Sequence, residues 1–134
     1  MSPRPAHQVR TVIQKENGVI TPIVSFIGNS NSGKTTLLEK VVRELKLKGY
    51  RMVVIKHSPH GFDIDQPGKD TWRLAQAGSD IVVVSSPDKV AFIERVGTEL
   101  TLNQIEALFR RKADIVLTEG YKDSNTAKIL VLGD

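Results

Sequence analysis

The fold of this chain is decided by Ile23–Ile27 (IVSFI) and the loop sequence directly behind it, Gly28–Thr35 (GNSNSGKT). The first stretch is a short apolar run closed by a glycine, which is typical of a buried strand. The second matches the pattern G-x-x-x-x-G-K-[S/T] of phosphate-binding loops. Apolar residues then recur at helical spacing from Thr35 to Lys48, and Gly49 predicts the end of that helix. Strand, loop and helix in this order predict an α/β fold with a phosphate site at the loop.

The chemistry of the loop follows from its residue types. Glycines at positions 28 and 33 let the backbone bend so that successive N–H groups face one anion, and a helix beginning near Lys34 adds its partial positive end. Lys34 supplies a charge to the β- and γ-phosphates, and the Thr35 hydroxyl can bind Mg²⁺. A chance glycine-rich turn is the weaker interpretation, because a strand and a helix flank the motif. The candidate nucleotide-binding residues are Gly28, Asn29, Ser30, Asn31, Ser32, Gly33, Lys34, Thr35 and Thr36.

A magnesium site at such a loop needs a carboxylate, and the sequence offers two sources. Residues 114–120 (DIVLTEG) read as an apolar strand ending in Glu119, at the edge where open parallel sheets bind ligands. The other source is Asp63 or Asp65, in the Pro- and Gly-rich loop 57–68. For each of them a solvated surface carboxylate is the alternative. The predicted catalytic residues are Lys34, Asp63 and Glu119, and the predicted metal ligands are Thr35, Asp63 and Glu119.

Loop 57–68 also carries two histidines. A transition-metal site is one interpretation of the set His57, His60, Asp63 and Asp65. The loop has no regular register to fix the ligand geometry, and no thiolate assists it. Contact with a phosphate or a substrate is therefore the favoured interpretation of this loop.

The rest of the chain alternates strand and helix signals. Residues 1–21 show no sustained period and are predicted to be an extension, with a short strand at 9–13 as an option, whereas residues 22–134 are predicted to form one domain. Further strands are predicted at 51–56, 81–84, 90–93, 114–118 and 128–132, and further helices at 71–77 and 101–111. This alternation predicts a mainly parallel sheet flanked by helices.

Composition narrows the class of protein. The 134 residues, 40% hydrophobic and 25% charged, fit one compact globular domain. The absence of cysteine excludes disulfides, thiolate metal sites and cysteine nucleophiles. A net charge of +4 with 5% aromatic residues is poor support for nucleic-acid binding. The apolar runs are too short to span a bilayer or to serve as a secretory signal. We therefore expect a cytoplasmic protein with no nucleic-acid and no membrane partner.

Three segments together resemble the MobB family of molybdopterin-guanine dinucleotide biosynthesis proteins. They are GNSNSGKTTLLEKVV from residue 28, IKHSPHGFDIDQPGKDTWRLAQAG from residue 55 and DIVLTEGYK from residue 114. The middle segment is the most diagnostic, because the P-loop alone occurs in many NTPase families. The resemblance runs from Pro22 to Leu132, and it implies a P-loop NTPase fold.

The resemblance also implies a function and a set of residues. Members of this family are GTP-binding, dimeric P-loop proteins with weak GTPase activity, which act beside the nucleotidyltransferase that joins GMP to molybdopterin. By position, the loop role falls on His57, Asp63, Asp65, Pro67, Gly68, Lys69 and Asp70, and the acidic role falls on Glu119 with Gly120 and Lys122 beside it. The expected cofactors are GTP and Mg²⁺, and the expected partners are that nucleotidyltransferase and a second copy of the chain.

Two departures from the family and two alternative functions bear on this expectation. The chain carries about twenty residues before the P-loop strand, and it stops at Asp134 where the family normally continues, so the domain is expected to be C-terminally truncated. The missing part commonly supplies contacts to the nucleotide base, so the selectivity between GTP and ATP is left open.

A non-catalytic nucleotide-binding adaptor and a P-loop kinase of a small substrate remain as alternatives to a slow GTPase.

Overall fold

The computed structural model describes residues 14–15, 18–19, 21–62, 64 and 68–133. Its strands are β1 (Gln14–Lys15), β2 (Gly18–Val19), β3 (Ile23–Ile27), β4 (Met52–Lys56), β5 (Ile81–Ser85), β6 (Val90–Glu94), β7 (Ile115–Glu119) and β8 (Ala127–Leu130). Its helices are α1 (Lys34–Leu47), α2 (Asp70–Gln76) and α3 (Leu102–Phe109). The strand suggested at 9–13 lies outside the described residues, and β1 and β2 form a short antiparallel pair within the predicted extension.

The chain divides into two compact units. One comprises the described residues up to Ser58 and those from Thr101 onward, and the other is Pro59–Leu100. The predicted boundary between an extension 1–21 and a domain 22–134 stays a prediction.

A parallel sheet forms the centre of the first unit. Its strand order is β4-β7-β3-β8, and all three neighbouring pairs are parallel. The sheet thus places β7, which is distant in sequence, beside the strand that leads into the loop. The predicted α/β fold with a mainly parallel sheet is confirmed.

Helix α1 covers one face of this sheet because its apolar stripe meets the side chains that alternate onto that face. Phe26, Leu38 and Leu117 form the buried centre of this core, and Val24, Val41, Val42, Leu45, Met52, Ile115 and Val131 pack around them. Gly49 takes a positive φ of 89° just after the helix, as a helix stop requires. The packing of α1 on the sheet therefore follows from the alternation of apolar side chains in β3 and β7 and from the helical spacing of apolar residues in α1.

The opposite face of β3 and β7 buries hydroxyl groups. Ser25 and Thr118 are both 0% exposed. The Thr118 hydroxyl donates to Ser25 Oγ at 2.8 Å, and Ser25 Oγ lies 2.8 Å from Thr126 Oγ1, which lies 3.0 Å from Ser124 Oγ. Ser124 in turn donates to the Tyr121 carbonyl at 2.7 Å. We call these four side chains the hydroxyl ladder; it ties the segment after β7 to the central strands.

The end of the sheet farthest from the loop is held by an ion pair. Asp114 is buried and accepts hydrogen bonds from the Arg51 backbone N–H at 2.8 Å and from its guanidinium at 3.1 Å. A buried carboxylate needs such partners. Asp114 thus anchors the start of β7 to the residue preceding β4.

Helix α3 begins at a capping box, as the sequence Thr101-Leu102-Asn103-Gln104 predicts. The Thr101 hydroxyl accepts from the Gln104 N–H at 3.1 Å, and the Gln104 side chain accepts from the Thr101 N–H at 2.8 Å. At the other end of this helix, Arg110 donates to the buried carboxylate of Glu106, four residues before it, at 2.7 Å. Hydrogen bonds from Arg110, helped by Thr21, lower the pKa of Glu106 below its usual 4.5 despite an opposing effect of burial.

The second unit contains α2 and an antiparallel hairpin. Strands β5 and β6 pair from Ile81 with Glu94 to Ser85 with Val90 and do not belong to the parallel sheet. At the hairpin turn, Ser86 N–H donates to the Lys89 carbonyl at 2.9 Å. In the described part of the chain, no helix has the length and apolar character needed to cross a bilayer. The cytoplasmic location stays a prediction.

Candidate functional site

The candidate site lies where β3 and β7 end side by side. Phe26 is in register with Glu119, and the Gly120 N–H donates to the Phe26 carbonyl at 3.0 Å. Because parallel strands place their carboxyl ends at one edge of the sheet, the loop after β3 and the acid at the tip of β7 are neighbours.

The loop itself depends on two glycines with positive φ. Gly28 has φ 150°, and a Cβ on it would lie 2.5 Å from the Val131 carbonyl oxygen. Gly33 has φ 92° and is the N-cap of α1, whose first turn receives no hydrogen bond from a capping side chain. The Ser32 N–H donates to the Asn29 carbonyl at 3.2 Å and closes the turn between them. Helix α1 therefore starts with backbone N–H groups available to an anion.

Lys34 folds back over the loop. Its Nζ donates to the Gly28 carbonyl at 2.7 Å. This contact holds the ammonium group beside the glycine-rich turn.

Thr35 and Glu119 meet directly. The Thr35 hydroxyl donates to Glu119 Oε1 at 2.6 Å, although the two residues lie 84 positions apart. Glu119 Oε2 lies 3.7 Å from Lys56 Nζ, with side-chain exposures of 13% for the acid and 72% for the lysine. A mostly buried carboxylate is thus shared between a hydroxyl and an exposed ammonium group.

A cavity of about 450 Å³ surrounds this cluster. It is lined by residues 30–36 of the loop and helix start, by Lys56 and His57 after β4, and by Glu119 and Gly120 after β7. The His57 ring stacks on Tyr121 with centroids 4.5 Å apart, and the backbone N–H of His57 donates to the Glu119 carbonyl at 3.0 Å. Polar groups from three strand ends therefore converge on one space, as in a small-molecule site.

With this geometry in place, comparison with known proteins gives the family. Residues 23–134 match the family model described as molybdopterin guanine dinucleotide synthesis protein B, MobB. The chain belongs to the MobB family. The resemblance carried by the three sequence segments is confirmed.

Individual MobB relatives agree in sequence and structure. The chain is 40% identical over 111 residues to the molybdopterin-guanine dinucleotide biosynthesis adapter protein of Haemophilus influenzae, covering 82% of this chain and 62% of that protein. It is 37% identical over 117 residues to the Escherichia coli protein of the same name, and this match covers 84% of this chain and 66% of that protein. The crystal structure of Bacillus subtilis MobB matches at a TM-score of 0.70 and 31% identity, covering 83% of this chain and 68% of that one. The chain thus spans just under two thirds of these two curated relatives.

The structure brings together part of the site that the sequence predicts for a MobB protein. Lys34, Thr35 and Glu119 lie around one cavity, with residues 30–36 forming one wall. Gly28 and Asn29 belong to the same loop but line a neighbouring cavity. Asp63, predicted as a catalytic residue and metal ligand, lies outside the described residues together with Asp65 and Pro67.

Three further loop positions of the MobB pattern are described in the second unit. Gly68, Lys69 and Asp70 belong to the second unit, where Lys69 precedes α2. Among the described residues, no three His, Cys, Asp or Glu side chains cluster around a metal position. Because Asp63 and Asp65 are outside that set, the transition-metal alternative for the histidine loop stays a prediction.

Two residues close to Glu119, Lys56 and Tyr121, were not predicted as site residues. Lys56 is the last residue of a strand, on the side of the sheet that carries the loop, and its register with Glu119 sets the two side by side. Tyr121 takes a positive φ of 64° directly after Gly120. The position of Lys56 at the end of a predicted strand, next to His57, could have indicated its place near Glu119. Tyr121 is held by a hydrogen bond from the hydroxyl ladder to its carbonyl, which no sequence pattern indicates.

Proposed function

We propose that this chain binds GTP with Mg²⁺ at residues 28–36 and hydrolyses it slowly, in support of molybdopterin guanine dinucleotide synthesis. The observation that carries the proposal is the contact of Thr35 with Glu119 at the mouth of a glycine-rich loop. A hydroxyl at the helix start and a carboxylate at the tip of the adjacent strand are the two side chains that P-loop NTPases use around magnesium.

The donor set suits Mg²⁺. This ion prefers hard oxygen ligands and binds through one or two carboxylates together with phosphate oxygens and water. Thr35 and Glu119 supply a hydroxyl and a carboxylate within hydrogen-bond distance of each other. When bound, the ion would neutralise charge on the β- and γ-phosphates. Asp63 stays a proposed third contributor.

The protein's own groups have distinct roles in this proposal. The first-turn N–H groups of α1 and the loop backbone bind phosphate oxygens, with the helix dipole in support. Lys34 exchanges its Gly28 carbonyl partner for a β- or γ-phosphate oxygen. Lys56, 3.7 Å from Glu119, keeps that carboxylate charge-compensated before the ion arrives.

Nucleotide-dependent thermal shift tests the binding proposal. We expect GTP with Mg²⁺ to raise the midpoint of unfolding, GMP to have little effect, and Glu119→Gln to abolish the part that depends on Mg²⁺. Saturation at 100 times Kd corresponds to about 2.7 kcal/mol of added stability. An ATP arm measures selectivity. Equal midpoints with and without every nucleotide would refute the proposal.

Slow turnover is the second part of the proposal. Fast P-loop hydrolysis needs a residue that orients water and an arginine that neutralises developing charge, worth about 10³–10⁵ in rate. No arginine lines the cavity in the described part of the chain. We expect phosphate release on the order of 10⁻⁴–10⁻² s⁻¹ from the isolated, magnesium-loaded protein. Turnover above about 1 s⁻¹ would contradict this.

A nucleotide-binding adaptor without turnover is the second candidate function. It is favoured by the name of the Haemophilus influenzae and Escherichia coli relatives, each a molybdopterin-guanine dinucleotide biosynthesis adapter protein. Single-turnover measurement with excess protein separates the two. GTP that stays intact over hours while bound supports the adaptor, and conversion to GDP supports the slow GTPase.

The proposed partners are the nucleotidyltransferase of molybdopterin guanine dinucleotide synthesis and a second copy of the chain. The first is supported by the family and by the names of its members as molybdopterin-guanine dinucleotide biosynthesis proteins. The second rests on the family resemblance. Sedimentation at tens of micromolar tests it, and a purely monomeric profile would remove self-association from the proposal.

A further inference from the structure

Lys56 and Glu119 lie side by side at the ends of two neighbouring strands. They are partners in the parallel register of β4 with β7. Because side chains alternate between the two faces of a strand, they share the face of Met52 and Leu117, which pack in the core beneath α1. The first turn of α1 lies over the same face. Both charged groups therefore line the cavity together with Thr35.

Among the described residues, two ammonium groups line this cavity, and they are held differently. Lys34 Nζ donates to the Gly28 carbonyl at 2.7 Å. Lys56 Nζ lies 3.7 Å from Glu119 Oε2, beyond hydrogen-bond distance, and 72% of its side chain is exposed. A long, exposed side chain with one loose ionic contact changes its partner at little cost, because exposed ion pairs contribute little. Lys56 is therefore the cation of this cavity that can move to another anion.

We propose that Lys56 contacts the γ-phosphate and makes the site prefer a nucleoside triphosphate to a diphosphate, a role that rests on the proposed function. Before the nucleotide binds, Lys56 neutralises Glu119. In the proposed complex Glu119 faces Mg²⁺, and the ammonium group is repelled by the divalent cation and attracted by the γ-phosphate. Lys56 Nζ then donates to a γ-phosphate oxygen. A diphosphate has no oxygen at this position.

The order of the strands places Lys56 near the terminal phosphate. Strand β3 leads into the loop, β7 with Glu119 lies beside it, and β4 with Lys56 lies beyond β7. In P-loop proteins the metal ion bridges the β- and γ-phosphates, so the carboxylate that holds the ion marks the γ end of the nucleotide. Lys56 lies on the far side of Glu119 from the loop and meets the terminal phosphate first. Lys34 approaches from the loop itself, so the two lysines have separate roles.

The test measures the preference for GTP over GDP by calorimetric titration of the full chain with Mg²⁺. The parent should bind GTP at least about 5-fold more tightly than GDP. Lys56→Met keeps an unbranched side chain and removes the charge. It should weaken GTP by about 5- to 30-fold, since the lost contact is charge-assisted but exposed, and change GDP by less than about 2-fold. Lys56→Arg should keep the preference to within about 3-fold.

Lys46→Met is the matched control. Lys46 is exposed in the last turn of α1, so its loss removes the same charge at the opposite end of that helix. Both affinities should stay unchanged in this variant, which separates a local contact from the effect of net charge.

A role limited to neutralising Glu119 gives a different result. Lys56→Met would then weaken GTP and GDP alike, and it would have no effect once Glu119→Gln has removed the negative charge. We expect Lys56→Met to weaken GTP by at least about 3-fold in the Glu119→Gln background as well. Equal losses for GTP and GDP, no loss for either, or a loss that disappears in that background would overturn the role of Lys56 and leave the nucleotide site standing. Failure of the parent to bind GTP would remove the proposed nucleotide site and this role with it.

Discussion

Replacing Gly28 with alanine tests the close approach of the phosphate-binding loop to strand β8. The new Cβ would lie 2.5 Å from the Val131 carbonyl oxygen, a backbone atom that cannot rotate away. The positive φ of 150° adds a backbone penalty of about 1–3 kcal/mol. Overpacking against a fixed neighbour costs about another 1–3 kcal/mol. We expect Gly28→Ala to lower the free energy of unfolding by about 2–6 kcal/mol, a large part of the total for a small domain.

Gly33→Ala is the matched control in the same loop. Gly33 also has positive φ, at 92°, but an added Cβ meets nothing within 4 Å. Gly33→Ala should therefore lower the free energy of unfolding only by the cost of a left-handed backbone conformation, about 1–2 kcal/mol. The measurement is urea unfolding of the nucleotide-free protein followed by far-UV circular dichroism, which reports on the helices and strands themselves, whereas Trp72 belongs to the other unit. A loss in Gly28→Ala no larger than that in Gly33→Ala would refute the steric argument.

Three further predictions concern other contacts. Lys34→Ala should lower GTP affinity about 10- to 150-fold while the backbone cradle survives, as measured by calorimetry, and unchanged affinity would contradict the role of this ammonium group. Thr118→Val should cost about 1–3 kcal/mol of unfolding free energy, and a double mutant with Ser25→Ala should cost less than the two single losses together; strict additivity would show that their 2.8 Å hydrogen bond contributes nothing. Because the folded-state pKa of Glu106 is lowered, its pairing with Arg110 stabilises the protein above about pH 4.5 and this effect is lost as the pH falls through the folded pKa, so the melting temperatures of parent and Glu106→Gln should differ at pH 7 and converge at low pH.

The sequence predicted the elements of the fold better than their arrangement. Strand β3, helix α1 and strand β7 were predictable because each has an uninterrupted apolar pattern and the loop motif fixes its flanks. The position of β7 between β3 and β4 could not be predicted, because the pairing of strands that are distant in sequence does not affect the local spacing of apolar residues. That β5 and β6 pair outside the parallel sheet was not predicted either. The short turn Ser86–Lys89 between two apolar runs is nevertheless typical of a hairpin.

The candidate site shows a similar division. Lys34, Thr35 and Glu119 could be found from motif and strand position, since both determine which edge of the sheet a residue occupies. Buried polar residues away from that edge gave no such signal. Asp114 begins a strand like any surface acid, and only the structure shows Arg51 beside it.

The separation of Thr35 and Glu119 along the chain has a consequence for how the protein acquires its site during synthesis. Closing a loop of 84 residues costs about 4 kcal/mol of chain entropy, and the contact is made only after β7 has docked between β3 and β4. A nascent chain that ends before residue 114 contains the entire glycine-rich loop and lacks the carboxylate. Long-range pairing of this kind forms late and slowly. Under the proposed function, magnesium-dependent nucleotide affinity therefore arises only once the parallel sheet is assembled, and it reports on the completion of folding.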